Sequence, residues 1–217
     1  MHRGSCHSNP FGTMITERIK KYFREKSAFR ITTDLVFYLL ILAVLLPFSR
    51  RPLATGMNRI LMHRPSVMNQ YRQITLNEED FNWMLLDLEG SPVPFSQFRG
   101  QVIFLNFWAT WCPPCRAELP DIQRLYDQYG ERMAIILASQ EGAEALESFL
   151  NEKGYVLPVY RLVQNPPEKL MASTLPTTFL ITGNDRITIR KTGAARWNGE
   201  YFKNYLESLL GDSGAGR

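Results

Sequence analysis

Two cysteines separated by two residues carry most of the chemical potential of this chain. They are Cys112 and Cys115, in the segment Trp111-Cys112-Pro113-Pro114-Cys115. Thiols at that spacing can close a small disulfide ring and open it again. One thiolate attacks a foreign disulfide to give a mixed disulfide, and the second cysteine resolves it. The pair has other possible uses: half of a zinc site, attachment of a c-type haem, or a purely structural bridge. Zinc requires further thiolate or imidazole ligands. The histidines are His2, His7 and His63, the third cysteine is Cys6, and residues 74–217 contain no other residue of either type. Haem attachment requires a histidine directly after the second cysteine, where Arg116 stands. A structural bridge over so few residues constrains little chain. The redox-active dithiol is the leading reading, with no metal and no cofactor called for, and the structural bridge is the plain alternative.

The pair must be positioned by what flanks it. Gln101–Trp108 is apolar at nearly every position and reads as a buried strand. Pro114–Tyr129 reads as a helix with Leu119, Ile122, Leu125, Tyr126 and Tyr129 on one face, Gly130 as its stop and a kink at Pro120. A thiol at a helix N-terminus faces unsatisfied N–H groups and the positive end of the dipole, which favour thiolate. With no imidazole nearby, that terminus is the main source of activation. Further strands are expected at Phe81–Leu88, Met133–Ala138, Val159–Val163, Thr177–Thr182 and Arg186–Thr192. Helices are expected at Ala143–Lys153, closed by Gly154, at Pro167–Ala172 and at Gly199–Leu210. Ser91-Pro92 reads as a turn, Phe95–Phe98 as a short connecting turn, and Gly183-Asn184-Asp185 as a hairpin loop. Trp197 and Phe202 read as packing residues. The alternation predicts an α/β class, a central mixed sheet flanked by helices.

Charge divides the 217 residues. Overall the chain carries a formal +4. Residues 1–34 hold seven bases against three acids, and residues 50–73 hold five bases and no acid. The remainder from 74 on has 13 bases and 18 acids and is mildly acidic. A nucleic-acid reader would carry its basic patch on the folded domain, so no nucleic-acid partner is expected. Between the basic segments runs LVFYLLILAVLLPF, Leu35–Phe48, extending to nineteen residues over Ile31–Ser49. At 1.5 Å per residue that is roughly 28 Å, close to a hydrocarbon core. A buried globular helix is disfavoured, because no polar face interrupts the run and bases flank both ends. A cleaved signal peptide would need Ala54-Thr55-Gly56 as its site, with Arg50 and Arg51 in the way. An uncleaved single-span anchor fits better. Six bases lie just before the run and four just after, which favours a cytoplasmic N-terminus, whether the chain starts at Met1 or Met14. The expected organisation is a basic cytoplasmic segment 1–30, a transmembrane anchor 31–49, a tether 50–76, a domain 77–211 and a tail 212–217. A short helix is possible at Asn58–His63.

The segment NFWATWCPPCRAELP, Asn106–Pro120, resembles the active-site segment of thioredoxin-like proteins, specifically the membrane-anchored TlpA/ResA-like thiol-disulfide oxidoreductases of bacteria. A thinner likeness runs from about Asn77 to Leu210 and includes LPTTFLI, Leu175–Ile181, similar to the family's cis-proline loop. The resemblance implies a thioredoxin fold behind a single N-terminal transmembrane helix. It implies a domain on the periplasmic side of a bacterial inner membrane, reducing disulfides of exported proteins with electrons from a membrane thiol carrier. By position, Cys112 matches the exposed attacking cysteine and Cys115 the buried resolving one. Pro176 matches the cis-proline; Leu175 beside it and Trp111 would complete the substrate platform. Glu118 matches a glutamate used in proton transfer, and Asn106 stands where thioredoxins have a buried aspartate. Thr174 departs from the glycine that relatives often have and puts the loop shape in question. The alternatives within the same scaffold are a net oxidant or isomerase and a redox-inert binding module.

Overall fold

The computed structural model describes residues 28–45, 62, 65–68 and 73–212. The expected basic segment up to residue 27, the short helix at 58–63, most of the tether and the end of the tail lie outside the described residues, as do Cys6 and the three histidines. The chain divides into two units between Arg51 and Pro52.

The first unit contains helix α1, Ala28–Leu45. Its apolar residues lie on every side, and each one from Leu35 to Leu42 is 40–66% exposed. The last four residues of the expected span, 46–49, are outside the described set. Among the described residues, no helix is long and apolar enough to cross a membrane.

The second unit is built on a mixed sheet. Its strands are β1 (Ile74–Thr75), β2 (Met84–Leu86), β3 (Pro92–Pro94), β4 (Ile103–Phe107), β5 (Ala134–Ser139), β6 (Val159–Leu162), β7 (Thr177–Ile181) and β8 (Arg186–Thr192), with helices α2 (Pro113–Tyr129), α3 (Ala143–Lys153) and α4 (Glu200–Asp212). The spatial order is β1-β8-β7-β4-β5-β6-β2-β3. β4, β5 and β6 run parallel, while β7 pairs antiparallel with β4 and β8 antiparallel with β7. β4 and β5 are buried at every position because they lie between other strands and are covered on both faces.

Alternation along the strands sends side chains into two apolar layers. Phe104, Leu180 and Ile189 join Leu119, Ile122 and Leu125 of α2, Leu146 of α3 and Phe202 of α4. Ile103, Leu105, Phe179 and Ile181 join Phe81, Trp83 and Phe95. By the same alternation Asn106 shares the α2 side with Phe104. It stands directly opposite Thr178 of β7, which shares that side with Leu180. Two polar cross-strand neighbours are thus placed under the active-site helix.

The strand expected at Phe81–Leu88 is shorter. Asn77 and Asp80 exchange side-chain-to-backbone bonds of 2.7 and 3.0 Å, which start a 3-10 turn at Glu79–Phe81 and leave only Met84–Leu86 extended. The expected turn at Ser91-Pro92 instead leads straight into β3, which pairs only with β2 at the sheet edge, where proline is tolerated. The expected helix at Pro167–Ala172 is a 3-10 turn over Glu168–Leu170.

Candidate active site

The site forms where β4 gives way to α2. Cys112 is the N-cap residue, with extended backbone, and Pro113 and Pro114 open the helix. Proline suits those positions, since its φ is preset and its missing N–H would have had no helical partner. The consequence is electrostatic. With both prolines mute, the Cys115 N–H is the donor that the helix end offers to the Cys112 sulfur, at 3.3 Å. The two sulfurs are joined in a disulfide.

Cys115 is fully buried, and Cys112 is only 2% exposed. The family resemblance implies an exposed Cys112; with the disulfide formed, its side chain is buried instead. Bonded to Cys115, the Cys112 side chain is drawn inward into the layer that contains Trp108 and Ala109. The exposed member of the motif is Trp111, at 69%. The turn that presents it is tied by Glu141, which accepts the Thr110 N–H at 2.6 Å and the Thr110 hydroxyl at 2.7 Å.

Leu175–Pro176 is a cis peptide bond. Its loop is held at both ends: the Thr177 hydroxyl donates to the Thr174 carbonyl at 2.7 Å, and the Pro176 carbonyl accepts the Gly193 N–H at 2.8 Å. Gly193 has φ +78°, a conformation that favours glycine. Leu175 and Trp111 line a groove of about 450 Å³, with Met171, Asn165 and Glu141 also on its walls. The Thr174 side of this loop is exposed and lines the same groove.

Glu118 lies three residues beyond Cys115 on the same helix and is completely buried. Its Oε1 accepts the Asn106 Nδ2–H at 2.9 Å. Its Oε2 accepts the Ala195 N–H at 3.0 Å and the Trp197 indole N–H at 2.9 Å. Burial pushes its pKa up from 4.5 to about 7; the donors from Trp197, Ala195 and Asn106 pull it part of the way back, and nearby Asp121 adds a small upward push. Asn106 also donates to the Thr178 hydroxyl at 2.8 Å.

Of the residues expected from sequence, Cys112, Cys115 and Glu118 thus share the N-terminal half of one helix, while Trp111 and Leu175 meet at the groove and Pro176 follows in the same loop. Trp197, expected to serve packing alone, also donates to Glu118. Thr178, Ala195 and Glu141 were not anticipated. Thr178 was readable in principle, as the polar residue in a buried strand that pairs with the strand of Asn106. Glu141 and Ala195 act over separations of 31 and 77 residues and leave no local pattern.

Residues 76–190 match the AhpC/TSA family. The chain is 31% identical over 144 residues to the thiol-disulfide oxidoreductase ResA of Bacillus thuringiensis (strain Al Hakam), covering 64% of this chain and 78% of that one. It is 36% identical over 133 residues to ResA of Geobacillus thermodenitrificans (strain NG80-2), covering 59% and 74%. Among solved structures, the putative thiol:disulfide interchange protein DsbE from Chlorobium tepidum aligns with a TM-score of 0.52 and 20% identity, over 69% of this chain and 99% of that one, which speaks for the fold. The chain belongs to the AhpC/TSA family, has a thioredoxin-like fold and is a thiol-disulfide oxidoreductase of the ResA type.

Proposed function

We propose that this thiol-disulfide oxidoreductase is held at a bacterial inner membrane by the apolar run Ile31–Ser49, of which α1 covers the described part, and works as a reductase on disulfides of exported proteins. The observation that carries the reading is the Cys112–Cys115 disulfide at the start of α2, with the buried Glu118 three residues beyond Cys115 on the same helix.

The reduced domain begins with Cys112 as thiolate. It attacks one sulfur of a substrate disulfide; a Cys112–substrate disulfide forms and the other substrate sulfur leaves as thiolate. The Cys115 thiol gives its proton to the Glu118 carboxylate and attacks the Cys112 sulfur. The substrate's second sulfur leaves, two electrons have passed to the substrate, and the internal disulfide is restored. A thiol donor, for which a membrane thiol carrier is the proposed class, then reduces Cys112–Cys115, and Glu118 returns its proton to Cys115. Trp111, Leu175 and Pro176 form the platform on which the substrate lies. Glu118 is suited to its role because a pKa of about 7 lets it hold or release a proton at neutral pH.

The helix start supports the reductive direction. A dithiol is oxidising when its reduced form is stabilised, chiefly through a stable thiolate. Pro113 and Pro114 withdraw two N–H groups from the sulfur, so Cys112 thiolate is less stabilised and the couple is more reducing. The anchor is supported by the exposed, all-round apolar surface of α1 and by the excess of bases on its N-terminal side. In intact cells, with the three native cysteines replaced, a membrane-impermeant thiol reagent should label a cysteine at Ser208 and miss one at Ser27. The reverse pattern overturns the topology.

A further inference from the structure

Asn106 is bonded in a lopsided way. Its Nδ2 makes two hydrogen bonds, to Glu118 Oε1 and Thr178 Oγ1, while its Oδ1 is buried and has no partner. An unpaired buried carbonyl is costly. A side-chain amide is almost the same shape either way round, so a half-turn exchanges oxygen and nitrogen with little change in volume. Turned over, Oδ1 faces the same two oxygens. The Thr178 hydroxyl can then donate to it, and so can Glu118 once protonated. The two hydrogen bonds to Glu118 and Thr178 exist in either orientation, and the amide atom on the far side is unpaired in both; what differs is who supplies the protons.

The other half of the Glu118 site does not reverse. The Ala195 N–H and the Trp197 indole N–H can only donate, so Oε2 must remain an acceptor in both ionisation states. The proton of neutral Glu118 therefore belongs on Oε1, the oxygen that faces Asn106. With Nδ2 still pointing there, N–H would meet O–H and one bond would be lost. The surroundings contain little else that could respond. β4 contributes Asn106, β7 contributes Thr178, and the 193–199 segment contributes Ala195 and Trp197. From α2 itself comes Asp121, ion-paired with Arg124 at 2.5 Å.

We infer that Asn106 is the positioning residue for the proton on Glu118: its amide turns over with each protonation, showing Nδ2 to the carboxylate and Oδ1 to the carboxylic acid. Glu118 thereby cycles between its states without forfeiting a hydrogen bond. The inference rests on the reading of Glu118 as the proton carrier of the dithiol. An aspartate at position 106, once ionised, could offer no donor to a Glu118 carboxylate, which is why an amide serves here.

The test is nuclear magnetic resonance of the full chain in detergent micelles, oxidised, with labelled carboxyl carbons and side-chain amides, from pH 5 to 9. The Glu118 carboxyl carbon gives the titration midpoint, and through-space contacts between the Asn106 amide protons and Thr178 give the amide orientation. Contacts present above the midpoint and lost below it, on the same curve, are the expected result. Contacts that persist unchanged through a Glu118 titration overturn the switch and leave the proton-carrier reading standing. A Glu118 carboxyl that does not titrate in this range overturns both. Asn106→Leu, of similar volume, leaves Oε1 without a partner in either state. It should lower kcat about tenfold with KM unchanged and raise the Glu118 midpoint; an unmoved midpoint and kcat overturn the assignment.

Discussion

The two sides of the Cys112–Cys115 disulfide are built on opposite principles. Behind it, Glu118, Asn106, Thr178 and Trp197 are all buried and joined by hydrogen bonds of 2.8–2.9 Å. In front of it, Trp111 is 69% exposed and Met171 44%, and they flank an open groove. The inner side is polar and buried; the outer side mixes exposed apolar side chains with polar ones and is open to solvent. An acid in a dry pocket has its pKa moved by desolvation, so the inner side suits proton transfer. An exposed aromatic beside a groove gains free energy only when another surface covers it, so the outer side suits transient binding of an extended chain. Mutations on the two sides should therefore separate kcat from KM.

The largest effect is expected at the disulfide, where the sides meet. Cys115→Ser keeps the attacking sulfur and removes the resolving one, so the variant should stall as mixed disulfides with substrate, visible as cross-linked species on a non-reducing gel. Turnover at the native rate without such species would show that the two cysteines do not divide the work in this way.

Next is Glu118→Gln, which keeps shape and removes the proton. Turnover should fall about tenfold or more, with KM unchanged, and the pH dependence of Cys115 alkylation in the reduced protein should shift. The same variant tests stability. The folded pKa of about 7 exceeds the unfolded 4.5, so the favourable contribution is complete below pH 4.5 and is lost as pH rises through 7. The shift corresponds to about 3 kcal/mol. Urea unfolding of the oxidised protein should show that loss between pH 4.5 and 8, and Glu118→Gln should flatten it. A native-like pH slope in the variant would place the titration elsewhere.

The smallest effect is expected on the outer side. Trp111→Ala should leave stability within about 0.5 kcal/mol, because the side chain is mostly exposed. It should raise KM for a protein disulfide several-fold while kcat changes little. A fall in kcat with unchanged KM would move Trp111 to the chemical step and erase the contrast between the sides.

The same contrast explains what was legible in the sequence. The dithiol, the strand before it and the helix after it could be read because each has a local signature: a two-residue spacing, a run of buried apolar positions, an apolar face ended by Gly130. α3 with Gly154 as its stop and the β7–β8 hairpin were equally plain. Glu118 was readable from its place three residues after Cys115, but not its complete burial, which depends on Ala195 and Trp197 arriving from nearly eighty residues away. Trp197 looked like packing because an indole's donor is invisible until its acceptor is known. The burial of Cys112 is hidden for a related reason: the motif shows that a sulfur caps the helix, while burial is set by the disulfide and by the layer around Trp108. At the front edge of the sheet, turn-forming residues hid β3, since Pro92 and Pro94 suit an edge strand as well as a turn.

Cys112 and Cys115 should cycle electrons to a protein disulfide. The direct test is to supply the full chain with a dithiol donor and a disulfide-bonded protein and follow the appearance of substrate thiols. The wild-type chain should accelerate reduction well above the donor alone, and Cys112→Ser should return the rate to that of the donor. Equal rates for the wild type, Cys112→Ser and the donor alone would show that the pair carries no electrons to the substrate.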